Sequence, residues 1–92
     1  MSAYVIVEAT VRDADARDRY AAQVKPILRQ FGAEILAMAP WQVLFGEAAF
    51  SNGMVVRFED KDAALAWYHS PEYQAIVALR TEGMDCRFRL LA

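Results

Sequence analysis

Nine consecutive residues, Ala66-Trp67-Tyr68-His69-Ser70-Pro71-Glu72-Tyr73-Gln74, hold three aromatic rings, the chain's only histidine and a Ser-Pro step. An imidazole titrates near neutrality, so His69 is a candidate for proton transfer. A lone histidine builds no multi-histidine metal site, and no cysteine or carboxylate cluster has ligand spacing, so no metal and no cofactor is expected. Ser70 lacks an identifiable base to activate it as a nucleophile. Its simpler use is local: serine favours the N-cap, Pro71 suits the first helical position, and Glu72 meets the positive end of the helix dipole. The step therefore predicts a helix-break-helix joint. His69 would close the preceding helix, where a side-chain donor can meet free carbonyls. Trp67, Tyr68 and Tyr73 would pack around the joint, with pocket lining as the alternative for all three.

A second group of chemistry-bearing residues emerges from strand alternation. Met54, Val56 and Phe58 share one face of a strand, as do Cys86, Phe88 and Leu90 on another and Val5, Val7 and Ala9 on a third. These apolar sets are expected to meet the helices. The opposite face then carries Tyr4, Glu8, Arg57, Glu59, Arg87 and Arg89. In a monomer such a face is solvated. Between two packed sheets the charges must pair or bind something, because an isolated buried ion is costly. Arg57, Arg87 or Arg89 can reach Glu8 on a central strand. An arginine left over favours an anionic or carbonyl-bearing ligand. An internal salt-bridge network and a ligand site both fit this pattern. In the second, Tyr4, Glu8, Arg57, Arg87, Arg89, Trp41 and Tyr68 line the site, Glu8 or His69 moves protons, and Arg57 or Arg89 steadies an oxyanion.

The elements that must position these groups follow from periodicity. Tyr4–Val11 is β-branched and reads as a strand. Asp13 or Asp15 can cap a helix whose apolar stripe is Tyr20, Val24, Ile27 and Phe31. Pro26 should kink that helix and Gly32 suits the position past its end. Ala33–Ala39 reads as a strand broken by Pro40-Trp41. Val43-Leu44-Phe45 resumes extended character, and Ser51-Asn52-Gly53 is a turn signal. Met54–Glu59 is a third strand. Asp60 caps a helix over Lys61–His69, which Ser70-Pro71 restarts and Gly83 ends. Tyr73, Ile76 and Val77 form its stripe, which Leu79 widens and Arg80 continues. Asp85–Leu91 is a last strand. The order β-α-β-β-α-β is the ferredoxin-like split βαβ arrangement, an α+β fold with two helices on one face of an antiparallel sheet. Right-handed crossovers place the strands in the order 4-1-3-2.

The length of 92 residues and the absence of a linker or repeat make one domain, 1–92. A chain this short buries only about 60–65% of its unfolded surface. Its hydrophobic fraction is nevertheless 57%, an apolar surplus that predicts a homodimer. The net charge is −2, with lysine and arginine scattered, so no nucleic-acid footprint or affinity for an acidic membrane surface is expected. No stretch is long and apolar enough to span a bilayer, and Met1-Ser2-Ala3-Tyr4 opens no signal peptide. Cys86 is the only cysteine, which suits a reducing cytoplasm.

The stretches VLFGE at 43–47, VVRF at 55–58 and ALAWYHSPEYQAIVALR at 64–80 resemble the DUF1330 family of small bacterial proteins, over nearly the whole chain. The resemblance implies a dimeric α+β barrel, two ferredoxin-like protomers packed sheet to sheet. The family has no established reaction and so lends no catalytic residues. Its wider structural relatives include cofactor-free monooxygenases, muconolactone-isomerase-like enzymes and haem-dependent barrels, a likeness of fold that does not fix function. Three readings stand: a small-metabolite binder using a sheet-face cleft, a cofactor-independent monooxygenase- or isomerase-like enzyme acting on an aromatic or carbonyl compound, and a structural or stress-associated dimer module without turnover.

Overall fold

The computed structural model describes residues 1–92. Its elements run β1 (Ala3–Val11), α1 (Ala14–Gln30), β2 (Glu34–Pro40), β3 (Asn52–Phe58), α2 (Lys61–Tyr68), α3 (Pro71–Gln74), α4 (Val77–Gly83) and β4 (Met84–Leu91). The four strands form one sheet in the order β2-β3-β1-β4, the expected order read from the other edge. All neighbouring pairs are antiparallel. The helices cover one face. Val5, Val7, Val56 and Phe58 meet Tyr20, Val24 and Leu28 of α1 and Ala64, Trp67, Tyr73 and Ile76 of the second helical segment. The expected inward and outward sets of β1 and β3 are thus the observed ones.

The helix starts follow from their caps. Asp13 Oδ1 accepts from the N–H of Asp15 (3.0 Å) and Ala16 (3.2 Å), and Asp60 Oδ1 accepts from that of Ala63 (2.8 Å). At the aromatic joint Ser70 Oγ accepts from the Tyr73 N–H (3.1 Å) and donates to the Trp67 carbonyl (2.8 Å). One buried hydroxyl so stitches the end of α2 to the start of α3. Gly32, past α1, has φ +70°, the left-handed region its lack of a Cβ permits.

Helix α1 runs through Pro26 without ending there. Several expectations are corrected. Leu28, outside the expected stripe of α1, is among that helix's buried residues. Residues 43–45 are not in a strand: the segment between Pro40 and Asn52 is a loop closed by the Trp41 N–H on the Ser51 carbonyl (3.0 Å). Asn52 and Gly53, read as a turn, instead open β3 opposite Ala9 and Glu8. Glu59 lies just past that strand. Finally, the helix after Pro71 breaks again at Ala75-Ile76, where the Ile76 N–H turns back to the Tyr73 carbonyl (3.0 Å), a tight three-residue spacing that ends the α-ladder.

Candidate functional site

On the open face of the sheet the strand registers build rows of facing residues. Glu8 stands opposite Arg87 of β4 and Gly53 of β3. Its carboxylate accepts from Arg87 Nε (3.1 Å), Arg87 Nη2 (2.9 Å) and Arg89 Nη2 (2.5 Å), all on the single oxygen Oε1. The Arg87 hydrogen bond, opposed by partial burial and reinforced by Arg89, holds the Glu8 carboxyl below its ordinary range. A carboxylate so held is a poor proton acceptor. Two guanidiniums share this one carboxylate, leaving the cluster one positive charge in excess.

Two aromatic rings of the loop close over this cluster. Gly53 has no side chain, and the Trp41 indole fills the space beside Glu8. The Phe50 ring lies 5.2 Å from the Arg87 guanidinium carbon. Arg57 is elsewhere: it faces Tyr4, beyond the intervening Ile6–Val55 pair, where it meets Glu34 (3.5 Å) and donates to Ser2 Oγ (3.2 Å). The face therefore gathers Glu8, Arg87, Arg89 and Trp41, with Tyr4 and Arg57 at its other end. Each of these arginines already has a carboxylate partner.

His69 and Tyr68 lie across the sheet from that face. His69 is exposed at the end of α2, where its backbone N–H, not its imidazole, donates to the Leu65 carbonyl (3.0 Å). Its ring meets only the edge of Tyr68. Tyr68 is half-buried, packs on Phe88 and Tyr73, and accepts from Arg80 Nη1 (3.1 Å). No three of His, Cys, Asp and Glu are gathered as a metal would need.

The structure adds a site that periodicity did not reveal. Between α1 and the sheet lies a partly open cavity of about 460 Å³ that extends to Ile35, Met38, Ala39 and Pro40 of β2. Its walls are apolar: Val7 and Ala9 of β1, Val24 and Leu28 of α1, Met54 of β3 and Phe88 of β4, with Arg17, Asp18 and Lys25 at the rim. Tyr20 is part of the lining and only 7% exposed. Its hydroxyl lies 2.8 Å from that of fully buried Tyr73, and Arg80 Nη1 donates to Tyr73 Oη (3.0 Å). Burial, and then the neighbouring phenol, raise the Tyr20 hydroxyl far above its ordinary range, so it stays a neutral donor. A second hollow of about 260 Å³ opens between α2 and the sheet, and Phe88 borders both.

A four-stranded antiparallel sheet with helices on one face, in this order, defines a ferredoxin-like protomer. The chain belongs to DUF1330, a domain of unknown function whose family model matches residues 2–92. No curated protein matches it. Among solved structures it is similar to a protein of unknown function from Rhodopseudomonas palustris, with a TM-score of 0.81 at 15% identity over 98% of this chain and 80% of that one. It is also similar to a dimeric ferredoxin-like protein of unknown function from Jannaschia sp. CCS1, with a TM-score of 0.72 at 16% identity over 100% and 99%. SnoaB, a cofactor-independent oxygenase from Streptomyces nogalater, shares the fold at a TM-score of 0.63 and 11% identity over 99% and 91%. No helix is long and apolar enough to cross a membrane.

Proposed function

We propose that this chain works as a homodimer that binds a small, largely apolar organic molecule in the cavity between α1 and the sheet. The observation that carries the reading is the cavity itself. The hollow is partly open, and at about 460 Å³ it falls within the ~300–1,000 Å³ typical of ligand pockets. The alternative location, a cleft on the open sheet face, is weaker because Glu8, Arg57, Arg87 and Arg89 already satisfy one another or Glu34. Tyr4, Glu8, Arg57, Arg87, Arg89 and Trp41 then serve chiefly at the dimer interface.

Dimerisation over that face has its own support. Ile6, Val55 and Leu91 lie on it among the charges, the β2 residue Leu36 is exposed, and Leu44 and Phe45 are exposed in the loop that follows β2. Structural neighbours are described as dimeric. A cytoplasmic setting fits a chain with one half-buried cysteine.

The test is a fluorescence titration with 2-(dimethylamino)naphthalene, which carries no carbonyl or charge. Wild type should bind it, and Ala21→Phe, which fills the cavity from α1, should abolish binding while the far-UV spectrum is unchanged. Retained binding in Ala21→Phe refutes the cavity. Loss of binding in Arg89→Ala with Ala21→Phe unaffected moves the site to the sheet face. For the assembly, light scattering should give twice the 10.4 kDa chain mass, and Ile6→Lys should give the single mass. A wild-type monomer at micromolar concentration refutes the dimer.

A further inference from the structure

Hydrogen-bond donors outnumber acceptors around Tyr20, one of the residues that line the cavity. The Tyr20 and Tyr73 hydroxyls bring two protons, and the bond between them uses one. The other has no acceptor among the protein atoms. Arg80 favours one of the two. By donating to Tyr73 Oη it polarises that hydroxyl as a donor, which favours Tyr73 giving its hydrogen to Tyr20 and leaving the Tyr20 proton over. Position agrees with polarity. Tyr73 is fully buried among Tyr20, Trp67 and Tyr68, whereas Tyr20 lines the cavity.

Two further donors near this point are also without partners. Arg80 Nε and Trp67 Nε1 are both buried and unbonded. Arg80 has no carboxylate either. Of the arginines that are not exposed, Arg17 has Asp18 and Arg57 has Glu34, while Arg80 meets only phenol oxygens and the faces of Tyr68, Tyr73 and Phe88. A partly buried cation behind a chain of hydroxyls, with no anion, makes the last hydroxyl of that chain a strong hydrogen-bond donor.

We propose that Tyr20 Oη donates a hydrogen bond to a carbonyl oxygen of the bound molecule, with Tyr73 and Arg80 as positioning residues behind it, so that the ligand class is an uncharged apolar ketone or enone. This rests on the cavity reading above and specifies its occupant. A carboxylate fits less well. The donor that meets the ligand is a neutral phenol and the walls are apolar, so an anion would lose its hydration for one neutral hydrogen bond. A carbonyl has far less hydration to lose.

The probe is 6-propionyl-2-(dimethylamino)naphthalene, a ketone whose emission moves to longer wavelength when its carbonyl accepts a hydrogen bond. The controls are the carbonyl-free 2-(dimethylamino)naphthalene and the carboxylate 6-(dimethylamino)-2-naphthoate. Wild type should bind the ketone most tightly of the three. Tyr20→Phe should weaken ketone binding roughly three- to tenfold, the range of one neutral hydrogen bond, and shift the bound emission to shorter wavelength. It should leave the carbonyl-free amine unchanged. Tyr73→Phe, which cuts the chain without touching the cavity wall, should shift the ketone emission in the same direction. Equal ketone affinity and emission in wild type and Tyr20→Phe overturn this inference and leave the cavity reading standing. Tighter binding of the naphthoate than of the ketone also overturns it. If wild type binds neither the amine nor the ketone, the cavity reading fails and this inference with it.

Discussion

The indole of Trp41 lies across the open face of Gly53, so close that a methyl group there would come within 2.2 Å of its Cζ2 atom. The two residues face each other across β2 and β3 ends that the Trp41–Ser51 bond draws together. Gly53 stands opposite Glu8 in the register, so the missing side chain makes room for the ring beside the carboxylate. The loop from 41 to 51 is thus anchored to the sheet by a glycine.

Substituting Gly53→Ala should therefore displace Trp41 and not the strand. The nearest atoms are the far edge of a 41% exposed ring that can swing out. Alanine in a strand regains about 0.5–1 kcal/mol relative to glycine, which offsets lost ring contact. Expected are a net stability change within ~1 kcal/mol and a larger fraction of tryptophan emission open to acrylamide, Trp67 being buried in both proteins. An unchanged quenching profile would show that Trp41 does not rest on Gly53 in solution.

The Glu8 cluster has a pH signature. Its carboxyl is held below the ordinary value of 4.5, chiefly by the Arg87 hydrogen bond. A folded value below the unfolded one means that the contribution to stability is fully present above pH 4.5 and is lost as pH falls through the folded value. Urea midpoints of wild type should fall over that acid window more steeply than those of Glu8→Gln, which has nothing there to titrate. Parallel acid limbs in the two proteins would contradict the assignment.

Gly83 is a stricter case than Gly53. A Cβ on it would lie 2.6 Å from the Arg17 backbone nitrogen and 3.0 Å from its Cα. Its carbonyl also accepts from the Arg12 (2.8 Å) and Asp13 (3.1 Å) N–H groups, which fastens α4 to the start of α1. Backbone cannot swing away as a ring can. Gly83→Ala should cost about 1–3 kcal/mol in chemical denaturation, the range of overpacking.

Much of this architecture can be read from residue order because each piece carries a local cause. Alternation in Val5, Val7, Val56 and Phe58 specifies the buried face, and Asp13, Asp60 and Ser70 specify three helix starts. The Glu8–Arg87 pair follows from the same alternation once the strand order is known. The cavity does not follow, because Tyr20, Met54 and Phe88 have the types and spacing of ordinary core residues, and a hollow is a shortage of volume that no residue type announces. The Tyr20–Tyr73 bond joins positions 53 apart in sequence. Arg80, a cation continuing the stripe of Tyr73 and Ile76, was the one visible sign of it. Residues 43–45 mislead for the opposite reason: their β-propensity is real, but they pair with no strand.

Ser70 tests the joint between α2 and α3. Its hydroxyl makes two bonds, and both are buried. Ser70→Ala removes the cap and leaves the Tyr73 N–H without a partner, while the Trp67 carbonyl keeps the Ser70 backbone N–H (3.1 Å). The expected loss is about 1–2 kcal/mol in equilibrium unfolding, at the upper end for an N-cap. His69→Ala, one position earlier, should have little effect on stability, since the cap there is a backbone N–H that the substitution keeps. A larger loss at His69 than at Ser70 would reverse the assignment of roles in this segment.

Leu44 and Phe45 separate the stability of the protomer from that of the dimer. They are 93% and 99% exposed at the tip of the 41–51 loop, so almost nothing in their own chain touches them. Replacing both with serine should leave a dilute protomer as stable as wild type. If the loop tip reaches the partner, the same change exposes two large apolar groups to water only when the subunits part. Burying one such side chain is worth about 1.5–3 kcal/mol, and each ~1.4 kcal/mol is tenfold in an equilibrium constant. The double variant should therefore dissociate at a concentration at least roughly tenfold higher than wild type in sedimentation equilibrium. An unchanged dissociation constant would place the tip outside the interface, and leave the sheet face with Ile6 and Val55 as the surface that holds the subunits together.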